Sequence, residues 1–145
     1  MRSPWLSTLL PLLLAAAAPV FGGERSATHA HVTSQRWATD PPLREGMSRL
    51  RAEVVGLEHY QHGHIGPQQA VILAGDIERD VGFVVTHCSL APKADAALHL
   101  ILVALLRGAH AIQSNPVDVA AIEPMRRALQ AYPKRFDDPD WRAME

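Results

Sequence analysis

The sequence predicts an all-α protein, an up-down-up-down antiparallel four-helix bundle, and three observations predict it. Apolar residues recur at steps of three and four, as on the buried face of a helix, in four segments: 43–57, 70–88, 92–113 and 122–136. No segment alternates apolar and polar residues over a length that predicts a sheet. The turns between the segments are short, and short turns place consecutive helices antiparallel.

Prolines and glycines mark where these helices begin and end. Asp40-Pro41-Pro42 begins the first helix, because an acidic cap precedes prolines whose missing N–H costs nothing there. Gly63 ends the first helix, and Gly66-Pro67 opens the second. Pro92 opens the third helix, and Asn115-Pro116 repeats the cap-then-proline pattern at the fourth.

Two features of the C-terminal segment predict departures from a straight helix. Pro124 lies inside the apolar stripe of the fourth helix, so we expect a kink or an early break there. The aromatic residues of segment 132–141 predict a lid over one end of the bundle.

The composition excludes several classes of protein. The 145 residues include 14 Lys and Arg against 15 Asp and Glu, so no overall basicity indicates a nucleic-acid partner. The single cysteine excludes an intrachain disulfide, a c-type haem attachment and a zinc site built on cysteine pairs. No nucleophile elbow, zinc-protease helix or phosphate-binding glycine loop occurs, and we predict a binding protein rather than an enzyme.

The N-terminal residues predict export. Arg2 precedes an uncharged apolar stretch over 6–18, and small residues before Gly23 suit cleavage there. We therefore predict a signal peptide over 1–22, a flexible lead-in over 23–39, the bundle over 40–141 and a short tail over 142–145. The protein is expected to be periplasmic or secreted, with no membrane span after signal removal.

Cys88, His99 and Met47 form the first group of candidate metal ligands. His99 interrupts the otherwise apolar run 98–106, and Asp95, one turn earlier, is placed to orient its ring. Counting residues along antiparallel helices puts Met47 and His99 in one layer, with Cys88 about two turns away. All three residues can also be interpreted as ordinary core residues, and for His99 the structural role and the ligand role are equally supported.

Histidines at the opposite end of the bundle form the second group. His59 lies near the end of the first helix, His62 and His64 lie in the turn, and His110 is expected at a similar height. These rings are predicted either to converge on a metal, with His59 and His64 as its ligands, or to be solvated residues that favour a helix C-terminus.

Three functions remain open from this ligand chemistry. A Cys, Met and His set in an exported protein favours copper, held for buffering or transfer, whereas zinc would favour the histidine-rich end. Met47 and His99 could instead hold b-type haem for electron transfer. The third is an interaction or stress-response protein without a cofactor. Besides the metal ion or haem, a homodimer through Cys88 or an exported redox partner is possible.

Three motifs carry a resemblance to a known group. EHYQHGH at 58–64, HCSLAPKADAALH at 87–99 and YPKRFDDPDW at 132–141 resemble small exported proteobacterial proteins labelled DnrO-like. The likeness covers about residues 40–141 and implies a periplasmic helical protein near denitrification or redox stress, with no established activity. The layout is also similar to that of four-helix cytochromes, in architecture alone.

Overall fold

The computed structural model describes residues 36–141 as a mostly helical unit with four α-helices, which confirms the all-α prediction. The elements are β1 (Trp37–Ala38), α1 (Pro41–Gln61), α2 (Pro67–His87), α3 (Pro92–Ser114), a 3₁₀ turn (Val119–Ala121), α4 (Ile122–Arg135) and β2 (Phe136–Asp137). The predicted signal peptide, most of the lead-in and the predicted tail 142–145 lie outside the described residues.

The first three helices begin where the cap-then-proline pattern predicts. Asp40 is extended, and its Oδ1 accepts a hydrogen bond from Leu43 N at 2.8 Å. Gly66 and Ala91 are the extended residues before Pro67 and Pro92, which open α2 and α3. Proline fits at these positions because the first N–H groups of a helix have no intrahelical acceptor.

The fourth helix begins later than predicted. Asn115 caps the end of α3, because its N–H bonds to Ala111 O, and Pro116 lies in the following turn. The prediction of a helix start at Asn115-Pro116 is therefore wrong. Pro124 falls in the first turn of α4, where a backbone N–H would have no helical acceptor, so the proline removes no helical hydrogen bond. The expected break occurs before the proline, as the 3₁₀ turn.

The end of the predicted flexible lead-in is ordered. Trp37 and Ala38 pair in parallel with Phe136 and Asp137, and the rings of Trp37 and Phe136 lie 5.5 Å apart. Thr39 Oγ1 donates a hydrogen bond to Asp137 O at 2.8 Å. We call residues 36–39 and 136–137 the terminal clasp. Within the clasp, the ring of Trp37 packs against that of Phe136, which is fully buried.

A single hydrophobic core joins the four helices. α1 packs mainly on α2, α2 on α3, and α3 on α4. The largest fully buried side chains come from every helix and from β2: Tyr132, Phe136, Leu43, Met47, Leu50, Leu57, Ile77, Leu98, Leu105, Ile112, Ile122 and Met125. Among the described residues, α3 alone is long and apolar enough to cross a membrane by length and composition, which core helices also can be.

Two glycines of α1 lie directly against side chains of α2. A Cβ at Gly46 would overlap Val84 Cγ2, and one at Gly56 would lie 2.8 Å from Leu73 Cδ1. The side chains of Val84 and Leu73 on α2 therefore pack directly against the backbone of α1.

Candidate functional site

The turn between α1 and α2 brings histidines together through its backbone. α1 ends at Gln61, His62 is its cap, and Gly63 takes the left-handed conformation with φ 75°. Gly63 N bonds to Tyr60 O and His64 N bonds to His59 O, each at 2.9 Å. This is the Schellman pattern, in which the second residue beyond the cap folds back onto the last turn of the helix. His64 is placed against His59 for that reason.

The rings of His59 and His64 are in direct contact. Their Nδ1 atoms lie 3.2 Å apart, and their ring centroids are separated by 5.5 Å. The ring of His62 lies 6.1 Å from that of His64, and all three residues are exposed. One neutral imidazole can donate its N–H to the other, so a single proton joins the rings. We call His59 and His64 the histidine pair.

The nitrogen separation in the histidine pair matches two ligands of one metal ion. With zinc–nitrogen distances of about 2.0–2.1 Å and tetrahedral angles, two ligand nitrogens lie about 3.3 Å apart. The observed 3.2 Å is close to that separation. Over residues 36–141, no group of three or more His, Cys, Asp and Glu side chains is arranged to hold a metal. The pair could supply two ligands of one ion, with other coordination positions left open.

His110 has a different partner from the histidines of the turn. Its Nε2 lies 2.8 Å from Glu78 Oε1, which links α3 to α2. Of the four histidines predicted at this end, only the three at the α1–α2 turn lie near one another, and His110 is not among them.

His99 lies on the solvent side of α3, so the expectation that it faces the interior is wrong. Leu98 and Ile101 beside it are buried, whereas Leu100 is 64% exposed. The run 98–106 is apolar around most of the helix, so periodicity alone does not identify its inward face. Asp95, its predicted orienting partner, is also exposed.

Met47 and His99 do not share an interior layer. Met47 is fully buried among apolar side chains of the core, while His99 is in solvent. A haem iron held axially between these two residues would require His99 to face inward. The pair on which the haem hypothesis depends is therefore not formed in this structure.

Cys88 is half-buried at the C-cap of α2, with its N–H bonded to Val84 O. Burial, followed by the negative charges of Asp40 and Asp95, raises the pKa of the Cys88 thiol. Metals bind the thiolate, so these surroundings weaken Cys88 as a ligand. Asp95, which was expected to orient the ring of His99, instead acts through its charge on the Cys88 thiol.

Two buried carboxyl groups were not identified from the sequence. Glu53 and Asp80 are both buried. Glu53 follows Leu50 at three residues and precedes Leu57 at four, so its place on the apolar stripe was a readable signal.

Comparison with known proteins finds no matching family model, no matching curated protein and no matching solved structure. The resemblance to DnrO-like proteins therefore stays a prediction.

Proposed function

We propose that this is an exported helical protein that binds a divalent transition metal, copper ahead of zinc, at the histidine pair. The observation that carries the proposal is the 3.2 Å separation of His59 Nδ1 and His64 Nδ1. The export part of the proposal depends on the predicted signal peptide. The DnrO-like resemblance agrees with such a location.

Copper is favoured for reasons that differ from those the sequence offered. The sulfur atoms of Cys88 and Met47 lie outside the histidine pair, so the soft ligands that select Cu(I) are not part of this site. Imidazole nitrogen binds Cu(II) more tightly than Zn(II) at a comparable site. An exposed ion with two protein ligands exchanges readily, which suits buffering or transfer to a partner.

We also propose the up-down-up-down antiparallel arrangement for the four helices. The contacts of Gly46 with Val84 and of Gly56 with Leu73 support opposite directions for α1 and α2. The contact between Gly108, late in α3, and Met125, early in α4, supports the same relation for that pair.

Titration of the mature chain, residues 23–145, with Cu(II) and Zn(II) tests the metal proposal by calorimetry. The double variant His29→Ala with His31→Ala is the background, because the His-Ala-His sequence at 29–31 could bind copper independently. On that background, His59→Ala or His64→Ala should weaken Cu(II) binding by at least about 10- to 100-fold, the loss that even outer-shell changes cause at metal sites.

His87→Ala and His110→Ala are the matched controls, because both residues are exposed histidines outside the turn. They should leave the affinity unchanged. Equal affinities for the turn variants and the controls would contradict the proposal. A melting temperature unmoved by Cu(II), Zn(II) and haem would favour the cofactor-free alternative.

A further inference from the structure

A pair of buried carboxyl groups lies between α1 and α2. Glu53 is 9% exposed and Asp80 is 4% exposed, and Asp80 lies beside Arg49, one helical turn before Glu53 on α1. Among the described residues, Glu53 Oε2 and Asp80 Oδ2 are buried and have no hydrogen-bond partner. We call these two residues the carboxyl pair. A hydrogen bond between two carboxyl groups requires a proton on one of them.

The charges around the carboxyl pair neutralise only one negative charge at close range. Arg49 Nε lies 3.1 Å from Asp80 Oδ1, and the same guanidinium also contacts Glu45. From α2, Asp76 and Arg79 act on Glu53 in opposite senses, and these two are bonded to each other. Within residues 36–141, Glu53 forms no ion pair, and the cation that acts on it, Arg79, is already paired with Asp76. Two unpaired carboxylates in this place would repel each other at a high desolvation cost.

We propose that the carboxyl pair holds one buried proton that bonds α1 to α2 in neutral solution, and that its release in mildly alkaline solution loosens this contact. One proton gives a partner to both otherwise unpartnered oxygens. Its loss places a second negative charge at the interface between α1 and α2, where Val84 and Leu73 pack directly on Gly46 and Gly56.

The titration properties of Glu53 agree with this geometry. Burial, followed by the hydrogen bond to Asp80 and the charge of Asp80, raises the pKa of Glu53 from 4.5 to about 8. The folded protein then binds this proton more tightly than the unfolded chain does. The resulting stability is complete below about pH 4.5 and is lost progressively as the pH rises to about 8.

The inference is independent of the metal proposal, because the histidine pair is held by the turn beyond α1. Glu53→Gln should leave Cu(II) affinity unchanged at pH 7. The two proposals can therefore fail separately.

Carbon-13 NMR of the Glu53 side-chain carboxyl in the folded mature protein tests the inference directly. We expect its resonance to titrate near pH 8. The protection of α1 and α2 amides against hydrogen exchange, corrected for the intrinsic rate, should fall over the same range. Titration near pH 4.5 would overturn the proposal without the need for any variant.

Glu53→Gln tests the consequence for folding, because its amide can donate to Asp80 at every pH. Relative to this variant, the unfolding constant of the natural protein should rise by up to about tenfold per pH unit between about pH 5 and 8. Glu45→Gln, an exposed carboxylate on the same helix that also contacts Arg49, is the control and should keep the natural pH profile. Parallel profiles for Glu53→Gln and the natural protein would overturn the proposal.

Discussion

Single side chains in this protein carry several structural contacts at once, and Asp40 is the clearest case. Its Oδ1 accepts the hydrogen bond that caps α1, while its Oδ2 accepts one from Ser89 N at 2.6 Å. Ser89 lies in the segment that joins α2 to α3. One carboxylate therefore satisfies a free N–H at the start of α1 and fixes the path of a distant connection.

Replacement of Asp40 by alanine should lower the free energy of unfolding by about 1–3 kcal/mol, because it removes an N-cap and a charge-assisted hydrogen bond. Urea denaturation followed by circular dichroism measures this loss. Asp40→Asn keeps one acceptor oxygen and should lose less. Equal stability of Asp40→Ala and the natural protein would show that neither contact contributes.

The histidine pair shows how far candidate ligand residues can be predicted from the sequence. His59 and His64 were candidate metal ligands because three of the six residues 59–64 are histidines. Gly63 indicated the end of the first helix and so the turn that joins them. The predicted grouping of His99 with Met47 was wrong, because the sequence of a helix that is apolar on most sides does not indicate which side faces solvent. Cys88 and Met47 could be identified as possible ligands, but their surroundings depend on contacts from distant parts of the chain.

At the scale of helices, local chemistry predicted the beginnings of α1, α2 and α3 because cap and proline act within a few residues. It failed at Asn115-Pro116, where the same dipeptide ends one helix and enters a turn. There Tyr60 OH donates a hydrogen bond to Pro116 O at 2.7 Å from 56 residues away, a contact that local sequence does not encode.

The close packing of α1 on α2 predicts opposite effects of alanine at two helical glycines. Gly46→Ala should destabilise the protein by about 1–3 kcal/mol, because the new Cβ meets the stiff, buried side chain of Val84. Gly75→Ala on α2 meets no atom within 4 Å and should stabilise it by about 0.5–1 kcal/mol. Both changes are measured by thermal and urea unfolding, and a loss of similar size at both sites would contradict this account.

At the scale of the whole described unit, the terminal clasp joins the segment before α1 to the segment after α4. Arg36 contributes a hydrogen bond to Pro133 O and an ion pair with Asp137. Tyr132 stacks on Phe136 at 5.0 Å and lies 4.7 Å from Trp141, so aromatic rings gather next to the clasp. The sequence predicted this aromatic end but not the strand pair, because a two-residue strand has no periodicity.

Trp37→Ala tests whether the clasp belongs to the cooperative unit. The partly buried indole covers the fully buried ring of Phe136, so its loss should cost about 1–2 kcal/mol. Val117→Ala, at a residue 75% exposed, is the control and should change stability little. If the clasp and the helices unfold together in the mature chain, residues 23–145, circular dichroism and the fluorescence of Trp141, its remaining tryptophan, will report one lowered midpoint. If the clasp frays alone, the midpoint of helix unfolding will stay at its natural value, which would place residues 36–39 outside the folding unit.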